Sequence, residues 1–173
     1  DNLLAQIQKN PKEESNYIQL IYLYSQSNQE EKANEIARQL EKEIPTSDWA
    51  QVSLFKFHLN NNEGDKAVLA MNKVLASTKI DTKIKHRILN EFLLYSINNP
   101  QYTKDLEKAV AFFENDKTIP VAKEIGKFFQ TKNDFANASK YYLKHLANTP
   151  NDVETVILLL QAYAENKEYA NLA

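Results

Sequence analysis

Cysteine is missing from this chain of 173 residues, which removes disulfides, thiolate metal sites and a cysteine nucleophile at once. The absence does not choose a compartment, because a cysteine-free chain is stable in either redox environment. Glycine, at 2, and proline, at 5, are scarce. An all-β sandwich would need turn residues every eight to twelve positions or so, and they are not there. No run of about 18 apolar residues occurs, so nothing has the look of a membrane-spanning helix. Nor is there an excess of positive charge: 21 Lys+Arg stand against 23 Asp+Glu, for a net charge of −2. Without a basic block, the electrostatic footprint of a nucleic-acid binder is absent. What remains is an ordinary soluble composition, 43% hydrophobic and 25% charged, suited to helices joined by short polar loops.

The usual carriers of chemistry are equally thin. Gly64 and Gly126 stand alone, so no glycine-rich loop cradles phosphate. No serine sits in a G-x-S-x-G context. His58, His86 and His145 are far apart, and none has a histidine or carboxylate at i+3 or i+4 of the kind zinc sites use. They read as solvent-facing or packed histidines. Glu13-Glu14 and Glu30-Glu31 fall at helix starts, where negative charge complements the dipole. The expectation is no enzyme, no metal and no cofactor.

What is present is a recurrence. Pro11 and Pro45, Leu20 and Leu54, and Ala33 and Ala67 are each 34 residues apart. The same interval separates Ile125 from Leu159, Gly126 from Leu160, Phe129 from Tyr163 and Phe135 from Tyr169. Each unit makes sense as two antiparallel helices. Tyr17, Leu20, Ile21 and Tyr24 form one apolar stripe, Ser27-Asn28-Gln29 a polar turn, and Ala33, Ile36, Ala37 and Leu40 a second stripe ended by Pro45. In a later unit Ile125, Phe128 and Phe129 face inward and Thr131–Asp134 turns. Phe135, Ala138, Tyr142 and Leu146 then return toward Pro150.

These residues resemble the tetratricopeptide repeat, whose pattern is W-x2-L-G-x2-Y, then A-x3-F, then P. The unit from Ile119 matches with Ile125-Gly126, Phe129, Ala138, Tyr142 and Pro150, and the first with Leu20-Ile21, Tyr24, Ala33, Ala37 and Pro45. The second keeps Leu54-Phe55, Ala67 and Met71, but has His58 at the aromatic position and Lys79 at the proline position. A third unit, holding Phe92-Leu93 and Tyr102, is degenerate and is preceded by about four extra residues near Asp81–Ile84. Small side chains at Ala33, Ala67, Gly126 and Ala138 suit the points where paired helices cross. His145 stands where the family has alanine.

The resemblance implies an all-α fold, an α-solenoid of stacked antiparallel helix pairs in a right-handed superhelix. Residues 1–13 read as the second helix of a preceding repeat, 14–47 and 48–84 as repeats, 85–118 as the degenerate one, 119–152 as another repeat and 153–173 as a truncated one. A turn is expected at Glu165–Glu168, and further repeats of the same chain on both sides. It implies a scaffold that binds a partner protein or peptide, with no nucleic acid, in a groove lined by the first helix of each pair. The groove positions are then Ile18, Tyr22, Trp49, Val52, Lys56, Asn90, Leu94, Lys123, Lys127, Ile157 and Gln161. Chaperone-binding members grip a terminal carboxylate with lysine and asparagine where Ile18 and Tyr22 stand, so that clamp is absent in this register. Trp49 follows Ser47-Asp48, an N-cap pair, and packing on that turn competes with a groove role. Lys123 and Lys127 share one helix face, which solvation alone can explain. A peptide-sensing regulatory domain and a helical-superhelix enzyme are the alternatives.

Overall fold

The computed structural model describes the backbone of residues 2–172 and the side chains of residues 2–167. Among them are ten α-helices and no strand: α1 (Asn2–Lys9), α2 (Glu14–Gln26), α3 (Glu30–Glu43), α4 (Asp48–Asn60), α5 (Gly64–Ala76), α6 (Thr82–Ile97), α7 (Thr103–Ala111), α8 (Val121–Thr131), α9 (Phe135–Asn148) and α10 (Val153–Leu172). The chain forms two compact units, Asp1–Ala109 and Val110–Ala173.

In the first unit each helix packs on the next from α1 to α6, and α4 also meets α6. The expected stripes are the buried ones. Tyr17 and Leu20 of α2, Ile36, Ala37 and Leu40 of α3, and Ala50 and Leu54 of α4 share one cluster with Ile7 of α1. Fully burying a leucine or isoleucine there contributes about 1.5–3 kcal/mol, and the cluster draws on four helices, not on one pair. Ala33, Ala37 and Ala67 are all but inaccessible, which lets paired backbones approach.

The turns inside the pairs repeat as faithfully as the stripes. Asn28, Asn62 and Asn133 all have positive φ, near 59°, 56° and 59°. In each case the next residue's N–H reaches back five residues: Gln29 to Tyr24 O at 2.8 Å, Glu63 to His58 O at 2.8 Å and Asp134 to Phe129 O at 2.9 Å. This is the left-handed helix stop, and asparagine tolerates that conformation better than other side chains bearing a Cβ. The fifth turn, expected at Glu165–Glu168, is not formed, because α10 runs on through it. Lys167 stands 34 residues after Asn133, so the left-handed asparagine is missing where the stop would be. Tyr169 lies outside the described side chains.

The extra residues near Asp81–Ile84 do not form a loop. Asp81 caps α6, accepting from Ile84 N at 3.0 Å, and Thr82–Ile84 is the first turn of a lengthened helix. Tyr102, in a 3₁₀ turn over Pro100–Tyr102, lies against Gly64 and donates to Asp65 Oδ1 at 2.9 Å. Its ring joins those of Phe92 and Tyr95.

In the second unit α8 packs on α9 and α9 on α10. Ile125, Phe129, Phe135, Ala138 and Tyr142 are buried, whereas Phe128 and Leu146 are half-buried at the margin. Gly126 is where α8 and α9 touch. A Cβ there would lie 2.5 Å from Tyr142 Cε1 and 3.2 Å from the Ala138 carbonyl oxygen.

One carboxylate ties the three helices together. Asp152 Oδ2 accepts from Lys123 Nζ of α8 at 3.0 Å, pairs with His145 Nε2 of α9 at 2.9 Å, and accepts from Thr155 Oγ1 of α10 at 2.8 Å. Its Oδ1 caps α10 through Thr155 N at 3.2 Å. Hydrogen bonds from Lys123 above all, then from Thr155 and His145, hold the Asp152 carboxyl well below the usual carboxylate range. His145, which stands where the repeat pattern has alanine, has its partner seven residues on.

Two outcomes follow for stability. Gly126→Val overpacks the α8–α9 crossing and destabilises by about 1–3 kcal/mol. Denaturant unfolding checks this, and an unchanged midpoint would contradict the tight crossing. Because the folded-state pKa of Asp152 is depressed, its stabilisation is complete above the ordinary aspartate value of about 3.9 and is lost as acid protonates the folded form. Asp152→Asn should therefore destabilise the second unit by about 1.5–3 kcal/mol near pH 7 and by much less in strong acid. Hydrogen exchange of the α8–α10 amides at both pH values measures the difference.

Candidate protein-binding surface

The groove positions fall on the outward face of the first helix of each pair. On α4, Ala50, Gln51, Leu54 and Phe55 are buried, and Trp49, Val52 and Lys56 lie on the opposite side at i, i+3, i+7. Trp49 and Val52 are nevertheless half-buried, and α4 follows α2 and precedes α6 among the first helices of this unit. On α2, Ile18 is half-buried and Tyr22 is 62% exposed. On α6, Asn90 is exposed and Leu94 is 57% exposed. These positions recur in phase: Ile18, Val52 and Asn90 form one row across the three helices, and Tyr22, Lys56 and Leu94 another.

The same register adds Ser15 and Arg87, which complete a row with Trp49. Ser15 and Arg87 are exposed and sit one turn before Ile18 and Asn90. Applying to Trp49 the two intervals that link Ile18 to Val52 and Val52 to Asn90 would have found them. Ser47 does cap α4, accepting from Ala50 N at 3.3 Å, while Asp48 accepts from Ser77 Oγ at 2.6 Å.

The second unit is different in character. Lys123, only 16% exposed in its side chain, bonds Asp152 and also Glu154 Oε1 at 2.8 Å; Lys127 pairs with the same Glu154 oxygen at 3.4 Å. Hydrogen bonding to Glu154, then to Asp152, raises the Lys123 ammonium above the usual lysine range, and Lys123 in turn lowers Glu154. The two lysines are therefore engaged by α10 within the chain. Ile157 and Gln161 of α10 are exposed, and Val153, Val156, Leu160 and Tyr163 extend an apolar face around Ile157. That face is opposite Thr155, Leu159 and Ala162, which are buried. Beside it a groove of about 530 Å³ runs past Leu143 and Ala147 of α9 to Tyr163.

His58 and His145 also have partners, at separations other than three or four residues. His58 Nδ1 lies 3.1 Å from Glu63 Oε1, across the left-handed Asn62 that turns the chain between them. No grouping of three metal-ligating side chains occurs among the described residues. None of the described helices is long and apolar enough to cross a membrane.

No family model and no curated protein matches the chain. Solved structures do. It is similar to pilF of Pseudomonas aeruginosa at 22% identity, over 91% of this chain and 70% of that one, with a TM-score of 0.51. It is similar to YrrB, a TPR protein with an unusual peptide-binding site, at 15% identity over 96% and 84% of the two chains, with a TM-score of 0.56. PilW, a widely conserved type IV pilus biogenesis factor, gives 16% identity over 95% and 77%, again with a TM-score of 0.56. At these identities it is the architecture that is shared, and with the in-phase helix pairs described above it establishes that the chain has the tetratricopeptide-repeat fold.

Proposed function

We propose that this chain is a protein-interaction module that holds a peptide or helix of a partner against the outward face of α2, α4 and α6. One observation carries the reading. Trp49 and Val52 point away from the core of α4 yet are half-buried, and the flanking helices present exposed Tyr22 and Leu94. Solvent-facing aromatic and aliphatic side chains at matched positions on successive helices give a partner anchors at low ordering cost. The described residues group no metal ligands, and the carboxylate network of α8–α10 is accounted for by helix capping and ion pairing. YrrB, which shares the fold, is a peptide-binding protein by its description.

Removing anchors should weaken binding without unfolding the chain. Tyr22→Ala combined with Leu94→Ala is expected to lower affinity for a captured partner by about tenfold or more, the scale of one or two interface anchors. Circular dichroism and melting temperature should stay close to those of the unaltered chain, because both side chains are exposed. Undiminished capture by the double variant would overturn the assignment of this face.

A further inference from the structure

Val156, Leu160 and Tyr163 of α10 stand 34 residues after Ala122, Gly126 and Phe129 of α8. On α8 that face is covered by the second helix of its pair. Gly126 lies against Tyr142 and Ala138 of α9, and Phe129 stacks on Tyr141 with ring centroids 5.8 Å apart. On α10 the matching face is open: Leu160 is 60% and Tyr163 47% exposed, with Val153, Val156 and Ile157 exposed beside them. Thr155, Leu159 and Ala162, on another side of the helix, are buried. The open side thus has the form of a first-helix surface with room for an antiparallel helix.

Its spacing is self-complementary. Val153, Val156, Leu160 and Tyr163 follow one another at intervals of three, four and three, the pattern of a helix–helix seam. An antiparallel copy about a two-fold axis at Leu158 sets Val153 against Tyr163 and Val156 against Leu160, because both pairs are centred on that residue. Charge favours the same direction. From Val156 to Ala164 every exposed residue of α10 is uncharged, so nothing in the seam repels a second copy. Glu154, its side chain 63% exposed, stands at the start of the helix, and exposed Lys167 stands thirteen residues on. Antiparallel pairing carries Lys167 of one copy toward the acidic end of the other, whereas parallel pairing would set like charges together.

The area is of the right order. Monomeric proteins rarely leave contiguous apolar patches larger than a few hundred Å². With Leu143 of α9, 49% exposed beside Tyr163, six large apolar side chains line this surface. At such exposures they offer on the order of 500 Å² per copy, against about 800 Å² per partner in a standard stable interface. Ala136, Ala147 and the stems of Lys140 and Lys144 line the adjoining groove and bring the total toward that size.

We propose that α10 is a homodimer interface, in which two copies pair antiparallel through Val153, Val156, Leu160 and Tyr163. Each α10 lies on the other as α9 lies on α8, so one two-fold contact covers both open faces. This interface is separate from the outward face of α2, α4 and α6 and does not depend on it.

Sedimentation equilibrium of the full chain is the test. A reversible monomer–dimer equilibrium is expected, with most of the chain dimeric at about 100 µM. Leu160→Glu should weaken association by about tenfold or more, since it sets a carboxylate in the seam. Leu69→Glu, at a similarly exposed leucine of α5, should leave association unchanged. Circular dichroism should show both variants folded, because both leucines face solvent in the single chain. The chain has no cysteine of its own, so direction can be read by disulfide trapping. Val153→Cys chains mixed with Tyr163→Cys chains should cross-link on oxidation. Neither should do so alone, because like positions lie about 15 Å apart along the paired helices at 1.5 Å per residue. A chain that stays monomeric at that concentration would mean that something other than a second copy covers the face, and would overturn the proposal. So would association indifferent to Leu160→Glu, equal loss with Leu69→Glu, or Val153→Cys chains that cross-link by themselves.

Discussion

Two helices can lie close along their length only where the side chains at the point of crossing are small or absent, and this chain meets that condition with Gly126, Ala33, Ala67 and Ala138. Gly126 shows the constraint most sharply, with the Tyr142 ring and the Ala138 carbonyl occupying the space a side chain would need. Close crossing makes each pair thin. A thin pair has too little interior of its own, so its apolar stripes are buried only by adding a neighbour. The cluster that joins Ile7, Tyr17, Leu20, Leu40 and Leu54 across α1 to α4 is the consequence. An outward face free of core duties is another, since the inward positions already satisfy the packing.

The turns are the second element of the same design. Asn28, Asn62 and Asn133 stop the first helix of a pair in one left-handed residue, and the backbone bond five residues back closes the end. A stop this short reverses the chain, so the second helix returns antiparallel along the first. Where the third unit has Pro100 at that position, a 3₁₀ turn and the Phe92–Tyr95–Tyr102 rings follow the end of α6. Where Lys167 replaces asparagine, α10 continues.

Electrostatics divides the two units. In the second, the cations of α8 are tied to α10: Lys123 and the exposed Lys127 converge on Glu154, and Asp152 gathers Lys123, His145 and Thr155 around a single oxygen. Charge there serves helix-to-helix cohesion and leaves an apolar outer face. In the first, Lys56 and Arg87 remain at the surface among aromatic and aliphatic neighbours. The same repeat therefore offers two surfaces of opposite chemistry, a distinction that side-chain type alone does not make.

The recurrence of apolar and small residues determined the helix pairs, their stripes and most of their ends, because helical period, crossing size and capping act over a few residues and are written locally. Tyr17, Leu20, Ala33, Ala37, Leu40, Ala138 and Tyr142 are buried as their spacing requires. Partnerships across turns were decided only by the tertiary structure. His58 meets Glu63 five residues on, His145 meets Asp152 seven residues on, and Lys123 meets Asp152 and Glu154 about thirty residues away. None of these separations is three or four residues, so a linear scan for i+3 and i+4 partners passes over them. Whether a lysine faces outward for a partner or inward for a neighbouring helix depends on where the next helix brings its carboxylates, and that is a property of the packed chain.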